Sequence, residues 1–299
     1  MKNITVVIVT FRTPEKIILD CLKSISKDIR VLIIENSEKF FMKEKILSTF
    51  NNVEVCCSGK NLGYGAGNNF GLKKVKTDYA LILNPDTVCD KNFFSNLPEI
   101  INQIKDFSII GCQYLDDEIF MPAGFFEDKK NKEFIKKFRE NNINEISKVD
   151  WVTGQSMIIN LKKFENNKIF DEKFFLYLEE IDLCKSLIIR NENIFSSKKL
   201  KVKHLGSKGS IGNSQNEKQK ANNLRNWHYM WSSFYFYKKN YNYFFALKKM
   251  FGKFFRALIK TIFFSLTFQK NKKEKYLYRF LGILNSILGK PSSFRGDNK

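Results

Sequence analysis

The sequence predicts an α/β fold in which a mostly parallel sheet is flanked by helices. Three observations support this prediction. Short β-branched runs alternate with segments of helical periodicity over residues 1–115, polar residues cluster where the runs end, and the composition is that of a globular chain. With 299 residues, 43% of them hydrophobic, the chain can bury a sizeable core and is too apolar for wholesale disorder.

The first part of the chain supplies strands and helices in turn. Ile4–Thr10 is a continuous β-branched run, which is typical of a strand buried on both faces. Pro14 then suits the first turn of a helix. Further strands are expected at 31–34, 53–57, 79–83 and 108–114, and further helices at 40–50 and 91–105. This alternation indicates a parallel α/β sheet.

The pattern changes beyond residue 115. Residues 127–148 are charged and predict a surface helix or excursion, whereas apolar patterning returns over 151–161. Helical spacing is found at 179–189. Residues 202–220 are rich in Gly, Ser, Lys and Asn, which predicts a mobile loop.

The net charge of +20 lies in the last third of the chain. Residues 1–197 hold 28 basic and 28 acidic side chains, whereas residues 198–299 hold 23 basic and 3 acidic ones. Eleven of the twenty residues in 226–245 are aromatic. A neutral body followed by a basic, aromatic tail predicts two domains, 1–222 and a helical extension over 223–299, with an anionic partner for the second.

Polar side chains gather where the predicted strands end. They lie at Thr10 and Arg12, at Glu35 and Asn36, within the glycine-rich stretch 61–71, and from Asn84 to Asp86. In open α/β sheets, ligands bind at the carboxyl ends of the strands. A glycine-rich stretch alone is usually a loop, and this one does not follow the first strand as a dinucleotide fingerprint does. The four clusters together predict a nucleotide-type ligand.

Several motifs resemble, in order and at suitable spacing, those of family 2 glycosyltransferases, most closely the bacterial rhamnosyltransferase-like branch. They are VVIVTFR, IIENS, NLGYGAGNNFG, LNPDT, WVTGQSMII, FDEKFFLYLEEIDLCKS and a later histidine, and they extend over roughly residues 3–240. The resemblance implies a GT-A fold, a nucleotide-diphosphate sugar donor, a divalent metal and inversion at the anomeric carbon. It also implies a nucleotide-sugar half over about 1–115 and an acceptor half over about 116–222.

The resemblance assigns the polar clusters to the donor. It implies donor contacts for Thr10, Arg12, Glu35, Asn36, Lys60, Asn61, Gly63, Gly67, Asn68 and Asn84. Asp86 and His204 would hold Mg²⁺ or Mn²⁺, cations that suit a departing diphosphate. The family often has a second acid where this chain has Asn84, which leaves the metal dependence open. A turn residue is the alternative role for Asp86, because Asn-Pro-Asp is good turn chemistry.

Inverting transfer requires one base that takes the proton from the acceptor hydroxyl. The resemblance places this base at Glu180, with Glu179 as the alternative. Adjacent residues of a helix point in different directions, so only one of the two can face the sugar. The alternative is a purely structural role, in which the acidic residues interact favourably with the dipole at the N-terminus of a helix. Acceptor contacts are implied for Trp151, Thr153, Gly154 and Asp182.

The tail contains an amphipathic helix if residues 244–266 are drawn at 100° per residue. One side then carries Lys249, Lys253, Arg256 and Lys260, and the opposite side carries Leu247, Phe251, Phe254, Leu258 and Ile262. This pattern is typical of a helix that lies in a membrane interface, with its basic residues among anionic headgroups. A helix packed on the catalytic domain is the alternative. Arg256 and Lys260 interrupt the longest apolar run, so no spanning segment is expected.

The sequence therefore predicts an inverting glycosyltransferase that moves a sugar from a nucleotide-diphosphate donor to a lipid-linked glycan in bacterial surface polysaccharide synthesis. The branch that it resembles implies L-rhamnose from dTDP-L-rhamnose. A cytoplasmic protein, peripheral on the inner face of the cell membrane, is expected, because the chain opens without a secretory apolar region. Nucleic acid is not expected as a partner, since no binding motif accompanies the basic residues.

Two other functions stay open. The first is nucleotidyl transfer onto a sugar phosphate, although TFRTPEK lacks the glycine- and Arg/Lys-rich signature of such enzymes. The second is a membrane-binding module with an inactive cleft, against which the candidate carboxylates argue.

Overall fold

The computed structural model describes residues 3–114, 122–205 and 215–295. The chain divides into two compact units. The first comprises Met1–Leu62, Ala66–Phe170 and Leu183–Ser210, and the second comprises Gly63–Gly65, Asp171–Asp182 and Ile211–Lys299.

The described residues contain eleven strands and nine α-helices. The strands are β1 (Ile4–Thr10), β2 (Arg30–Glu35), β3 (Val53–Cys57), β4 (Tyr79–Leu83), β5 (Thr87–Cys89), β6 (Ile109–Tyr114), β7 (Ala123–Gly124), β8 (Ile146–Val149), β9 (Trp151–Val152), β10 (Ser156–Asn160) and β11 (Ile194–His204). The helices are α1 (Glu15–Lys23), α2 (Lys43–Thr49), α3 (Tyr64–Leu72), α4 (Phe93–Ile104), α5 (Asp128–Arg139), α6 (Glu179–Ile189), α7 (Gln215–Asn240), α8 (Tyr243–Leu266) and α9 (Lys270–Ile287).

Nine strands of the described chain form one sheet in the first unit. The order is β3-β2-β1-β4-β10-β6-β11-β5, with β8 also paired to β11. The pairings among β1, β2, β3 and β4 are parallel, as the alternation of strands and helices predicts. β10 lies antiparallel between β4 and β6. The sheet is flanked by helices as expected, and it is mixed because antiparallel strands complete it.

The direction of β10 could not be predicted from its residues. Ser156–Asn160 is buried along its whole length, as are the central strands of parallel sheets. Such a pattern reports that both faces are covered and says nothing about direction. The core around the sheet includes Ile8, Leu81, Ile110 and Phe93, with α1 and α4 contributing from the flanks.

The glycine-rich stretch forms a helix, α3, where a loop is the usual expectation. Glycine costs about 1 kcal/mol in a helix relative to alanine. A Cβ atom at Gly71 would lie 2.7 Å from the Val7 side chain and 2.9 Å from the Ile34 side chain. The glycine therefore lets this helix approach the sheet closely, a tertiary requirement that the local sequence does not reveal.

The loop predicted over 202–220 is wrong at both ends. β11 continues to His204, and α7 begins at Gln215. Residues 206–214, in the middle of the predicted loop, lie outside the described residues. The first turns of α7 are largely exposed, so they carry no apolar periodicity from which a helix could be predicted.

In the second unit, α7, α8 and α9 pack around a small apolar core. That core consists of Met230, Phe234, Ala246, Met250 and Ile283. α9 approaches α7 at Gly282, where a Cβ atom would collide with the backbone carbonyl of Trp227. α8 begins at a side-chain cap, because Asn242 accepts a hydrogen bond from the Phe245 amide at 2.8 Å.

α8 has two apolar faces that point in different directions. Ala246, Met250 and Ala257 are buried within the second unit. The other face is exposed, and we call it the α8 apolar face; its members are Phe244, Phe251, Phe255, Ile259, Ile262, Phe263 and Leu266. No helix in the described part of the chain carries an apolar stretch long enough to cross a membrane.

The apolar side predicted for this helix is split by packing. Leu247 and Phe254 contact the apolar core of the second unit, whereas Phe251 and Ile262 are exposed. Periodicity located an apolar stripe but could not show which half of it a neighbouring helix covers. The α8 apolar face is therefore rotated relative to the predicted side.

The basic side of α8 is also divided. Lys260 donates a hydrogen bond to the Tyr276 hydroxyl at 3.1 Å, and Lys253 lies 6.0 Å from the centre of the Tyr229 ring. Of the four residues predicted on this side, Lys260 alone is partly buried. Lys249, Lys253 and Arg256 are exposed, and Lys249 lies 5.6 Å from the centre of the Phe245 ring.

Candidate functional site

The carboxyl ends of β1 and β2 share a hydrogen-bonded polar cluster. Thr10 and Glu35 are paired across these strands, and the Thr10 hydroxyl donates to Glu35 Oε2 at 2.6 Å. Ser37 donates to Glu35 Oε1 at 2.6 Å. Burial raises the pKa of Glu35, and these hydrogen bonds oppose that rise. The carboxylate is thus held in one orientation at the sheet edge where such folds bind ligands.

Asn36 connects the end of β2 to the loop before α3. Its amide group donates to Asn61 Oδ1 at 3.3 Å, and its side-chain oxygen accepts from the Leu62 amide at 3.2 Å. The structure therefore brings together two residues that are expected to contact the donor. Lys60 is exposed next to them.

Three other residues expected to contact the donor are Arg12, in the loop after β1, and Gly67 and Asn68, in α3. Arg12 is exposed and has a φ of 51°. Gly67 and Asn68 lie within α3, and Asn68 is buried. A Cβ atom at Gly67 would lie 3.2 Å from Asn36 Nδ2. The absence of a side chain at Gly67 therefore lets the helix reach Asn36.

Gly63 belongs to the second unit and precedes α3. Its φ is 85°, and a Cβ atom there would collide with the carbonyl oxygen of Phe175. The Tyr64 amide donates to that same carbonyl at 3.0 Å. Both the positive φ and the close approach require glycine.

Asp86 and His204 lie side by side in the first unit. The antiparallel pairing of β5 with β11 places His204 opposite Thr87, and the Leu205 amide donates to the Asp86 carbonyl at 2.8 Å. His204 Nε2 is 3.4 Å from Asp86 Oδ1. Strand pairing thus joins two residues that are far apart in the sequence. A carboxylate and an imidazole at this separation are suitable ligands for one divalent cation.

This pair fits a cation that takes further ligands from its substrate. No group of three or more His, Cys, Asp or Glu side chains that could hold a metal occurs among the described residues. Mg²⁺ at phosphate sites is commonly held by one or two carboxylates, waters and substrate phosphates. The Asp86 carboxylate is also nearly fully buried, an environment in which nearby positive charge is favourable.

A hydroxyl network surrounds the turn between β9 and β10. The Tyr114 hydroxyl shares a 2.8 Å hydrogen bond with Thr153 Oγ1 and donates to Gln155 Oε1 at 2.5 Å. The Asn84 amide donates to the Gln155 carbonyl at 2.9 Å. Sequence reasoning missed Tyr114 and Gln155, although Tyr114 ends a predicted strand. Gly154 lies within the same turn.

Trp151 takes part in packing. It is paired with Gly124 across β7 and β9, and a Cβ atom at Gly124 would lie 2.5 Å from the indole Cζ2. The ring therefore covers Gly124 and is partly exposed. Stacking of this ring on an acceptor sugar stays a prediction.

Glu179 and Glu180 begin α6 within the second unit. The chain enters the helix through Tyr177 and Leu178, whose φ values are 72° and 68°. These values lie in the left-handed region of backbone conformation, which costs free energy for residues other than glycine. Such strain concentrates at functional sites.

The two glutamates differ in their exposure. Glu179 is only 2% exposed, and its Oε2 has no hydrogen-bond partner within the described chain. Burial, together with the charge of Glu180, raises the pKa of Glu179 well above its ordinary value. Burial also raises the pKa of Glu180, which keeps part of its surface exposed. Glu179 is thus favoured in its neutral form, and Glu180 is the less buried residue of the two.

Asp182 has partners within the second unit. Its Oδ2 accepts a hydrogen bond from Lys239 at 2.6 Å, and its Oδ1 accepts one from Asn240 at 2.8 Å. Lys239 also donates to Asp171 at 2.7 Å. This network ties Asp171 and the first turn of α6 to the end of α7. Sequence reasoning missed Lys239, because nothing local to it identifies partners so distant along the chain.

Comparison with known families identifies the chain. Residues 5–182, from β1 to the first turn of α6, match the family described as Glycosyl transferase family 2. The chain belongs to this family. The resemblance that the sequence motifs carry is thereby confirmed.

Relatives of this family 2 member come from two organisms. One is the low-salt glycan biosynthesis hexosyltransferase Agl10 of Haloferax volcanii, 26% identical in a 211-position alignment that covers 65% of this chain and 64% of that protein. Another is the rhamnosyltransferase WbbL of Escherichia coli K12, 27% identical in a 195-position alignment that covers 56% of this chain and 70% of that protein. The chain thus spans slightly less than two thirds of Agl10. The expected likeness to rhamnosyltransferases is confirmed.

The fold also has a solved counterpart. The crystal structure of GalNAc-T7 with UDP, GalNAc and Mn²⁺ aligns with 79% of this chain and 50% of its own, at a TM-score of 0.55 and 14% sequence identity. At that identity the similarity concerns the fold alone. It confirms the expected GT-A fold for this family 2 member.

Proposed function

We propose that this chain is an inverting, nucleotide-sugar-dependent hexosyltransferase whose acceptor is a lipid-linked glycan. Family membership supports glycosyl transfer. The observation that carries the donor side of the proposal is the Asp86–His204 pair. A nucleoside diphosphate gains negative charge as its bond to the sugar breaks, so a group that supplies positive charge is required beside it.

Asp86 and His204 would hold Mg²⁺ or Mn²⁺, which would neutralise charge on the departing diphosphate. GalNAc-T7 was crystallised with UDP and Mn²⁺. We extend a nucleotide-diphosphate donor and a divalent cation to this chain because its own residues offer a suitable ligand pair.

The polar strand ends of the first unit would bind the nucleotide. Glu35, oriented by Thr10, would accept hydrogen bonds from the base or ribose. Asn36 and Asn61 would contribute amide groups next to it. Lys60 is an exposed cation beside this pair and would approach a phosphate group.

Glu180 would act as the general base. As the acceptor oxygen forms its bond to the anomeric carbon on the face opposite the diphosphate, its proton would pass to the Glu180 carboxylate. The raised pKa of Glu180 brings its proton affinity closer to that required at neutral pH. A neutral Glu179 next to it would add no opposing negative charge.

The transferred sugar is assigned as a hexose, and L-rhamnose from dTDP-L-rhamnose is our specific candidate. Agl10 is described as a hexosyltransferase and WbbL as a rhamnosyltransferase. Agl10 is also named for glycan biosynthesis, and for this chain we propose bacterial surface polysaccharide synthesis.

The α8 apolar face supports a membrane surface as the place where the acceptor is met. Seven large apolar side chains lie exposed along one helix, and residues 225–299 carry 16 basic and 2 acidic side chains. A helix binds the surface of an anionic bilayer when its apolar residues enter the boundary of the acyl chains and its basic residues lie among the headgroups. We therefore propose peripheral association with the inner face of the cell membrane.

A screen of nucleotide sugars tests the donor assignment. The full chain is incubated with dTDP-, UDP- and GDP-sugars, with Mn²⁺ or with EDTA, and release of the nucleoside diphosphate is measured. We expect one donor, dTDP-L-rhamnose in our specific proposal, to be consumed in Mn²⁺ and much more slowly in EDTA. Pyrophosphate release from a nucleoside triphosphate and a sugar phosphate would instead indicate nucleotidyl transfer. Inactivity with every donor, despite measurable binding, would favour a binding module.

A further inference from the structure

The second unit contains a basic cavity lined by residues of α7 and α9 and by Tyr177. Its volume is about 490 Å³, within the range of small-molecule sites. Three cationic side chains line it, namely Arg225 on α7 and Lys275 and Arg279 on α9. None of the assignments made for the donor, the metal or the base uses these residues.

The positive charge of this cavity is not balanced by its own walls. Among the described residues that line it, none is an aspartate or a glutamate. Glu274 on α9 is not part of the lining, and its carboxylate accepts a hydrogen bond from Asn223 at 2.9 Å. Burial and the charge of Arg279 lower the pKa of Lys253, which lies outside the lining over Tyr229. Cations held this close repel one another, so an anion that joins them is favoured.

Arg279 is held in place for such contacts. Its Nε donates to Asn226 Oδ1 at 2.7 Å, and its guanidinium lies 5.7 Å from the centre of the Tyr276 ring. Among the described residues, the terminal guanidinium nitrogens of Arg279 have no hydrogen-bond partner. Planar guanidinium groups bind phosphate oxygens through paired hydrogen bonds.

The rest of the lining suits a carbohydrate. It consists of four amide side chains and two tyrosines, Gln219, Asn222, Asn226, Asn271, Tyr177 and Tyr229. Amides both donate and accept hydrogen bonds, as sugar hydroxyls do. Tyrosine joins an apolar ring to a polar tip, which matches the mixed surface of a sugar.

The cavity also adjoins the candidate base. Tyr177 of its wall is separated from Glu179 by one residue and is held with a positive φ. Burial raises the pKa of Tyr177, the charge of Arg225 lowers it, and the charges of Glu179 and Glu180 raise it. Arg225, Tyr177 and the glutamates are therefore electrostatic neighbours within one unit.

We propose that this cavity binds a phosphoryl group of the acceptor together with the sugar attached to it. The proposal deepens the proposed function and rests on it, because it assigns an anionic, phosphate-bearing class of acceptor to the same enzyme. The phosphoryl group holds the acceptor through Arg225 and Arg279, while Glu180 lies close to the wall of the cavity.

Binding is measured first without any donor. Inorganic pyrophosphate is titrated into the full chain in EDTA, which suppresses cation-dependent diphosphate binding at Asp86 and His204. The test variant is Arg225→Gln with Arg279→Gln. The control is Lys238→Gln with Lys290→Gln, which removes the same charge from exposed positions outside the cavity. We expect the test variant to bind at least about tenfold more weakly, and the control to bind like the parent.

Kinetics then separate the acceptor from a lipid headgroup. With a soluble phosphorylated glycan acceptor, the test variant should raise KM by about tenfold or more and leave nucleoside diphosphate release from the donor alone unchanged. Flotation with phosphatidylcholine–phosphatidylglycerol vesicles should give the same bound fraction for test and control variants.

Distinct results overturn the proposal. Unchanged pyrophosphate affinity and unchanged KM in the test variant would refute it, whatever the donor screen gives. Loss of vesicle binding with an unchanged KM would assign the cavity to a phospholipid headgroup instead. Absence of donor turnover in the parent would refute the proposed function, while the pyrophosphate titration would still test the anion site by itself.

Discussion

At the scale of single residues, two neighbouring glutamates differ in their protein environment. Glu179 and Glu180 have the same side chain, yet Glu179 is buried and Glu180 keeps part of its surface exposed. A buried carboxyl group avoids charge because desolvation penalises the ionised form. The pair thus resembles other acid and base pairs in which the environment assigns the roles.

The first prediction concerns the base. Glu180→Gln should bind the donor normally and lose transfer by about 10²–10⁴-fold, the usual contribution of general acid–base catalysis. Glu179→Gln is the matched control and should retain most activity, because it replaces a neutral side chain by another of the same shape. Initial rates with a fixed acceptor compare the two. An inactive Glu179 variant beside an active Glu180 variant would exchange their roles.

The second prediction concerns the cation. Asp86→Asn and His204→Gln should each weaken donor binding when Mn²⁺ is present, because each removes one ligand of the pair. In EDTA the same substitutions should have little effect on donor affinity. Equilibrium binding of the nucleotide sugar, measured in both conditions, checks this. Full transfer by the parent in EDTA would contradict the assignment and leave Lys or Arg as the diphosphate's partner.

At the scale of elements, α8 shows how packing selects among apolar residues. Ala246, Met250 and Ala257 are buried against the neighbouring helices, while seven large apolar side chains remain exposed. Phe251 and Ile259 are each 63% exposed, and Leu266 is 73% exposed. An exposed apolar surface as long as the α8 apolar face is uncommon on a soluble protein and indicates an interaction site.

The third prediction concerns the α8 apolar face. Replacing Phe251, Ile259 and Leu266 by Ser should greatly reduce binding to anionic vesicles, because the apolar area that enters the acyl boundary is lost. Flotation measures the bound fraction. The matched control replaces Phe41, Leu47 and Ile189 by Ser, three exposed apolar residues of the first unit, and should bind like the parent.

The basic residues of α8 provide a second arm of that test. Replacing Lys248, Lys249 and Arg256 by Gln should weaken binding to anionic vesicles more at low salt than at high salt, because headgroup attraction is screened. Lys253 and Lys260 are left unchanged, since they contact Tyr229 on α7 and Tyr276 on α9. If the Ser triple variant floats as well as the parent, the α8 apolar face does not bind membranes. A contact with another protein would then better explain its exposed apolar residues.

At the scale of the whole molecule, the second unit is joined by buried polar contacts between distant segments. His228 on α7 contacts the Phe294 carbonyl through Nε2 at 2.7 Å and Ser292 Oγ through Nδ1 at 3.0 Å. A ring N–H donated to the carbonyl leaves the other nitrogen to accept from the hydroxyl, so the neutral imidazole satisfies both partners. This contact fastens the segment after α9 to the middle of α7.

The fourth prediction concerns acid stability. Burial lowers the pKa of His228 to about 4, below the ordinary value of about 6.5. Between these values the unfolded chain binds the proton and the folded chain does not, so stability falls as pH decreases from about 6.5 toward 4. The contribution of this group is about 3 kcal/mol.

Chemical denaturation at several pH values tests this prediction. The parent should lose stability below pH 6.5, and His228→Gln should show a smaller loss over the same window while losing some stability at neutral pH. Parallel curves for the two proteins would show that His228 does not cause the acid sensitivity.

The sequence by itself determined the alternation of strands and helices, the polar strand ends and the basic tail, because each of these is written in local residue order. β1, β3, β4 and α6 are found at the expected residues. The same local order carries the family motifs, and so it predicts the residues of the candidate site.

The tertiary structure decided what depends on residues distant along the chain. It placed His204 beside Asp86 through strand pairing, buried Glu179 more fully than Glu180, and turned the glycine-rich stretch into a helix packed on the sheet. It also chose which apolar residues of α8 remain exposed. Periodicity and composition describe one segment at a time, whereas these features arise from the packing of one segment against another.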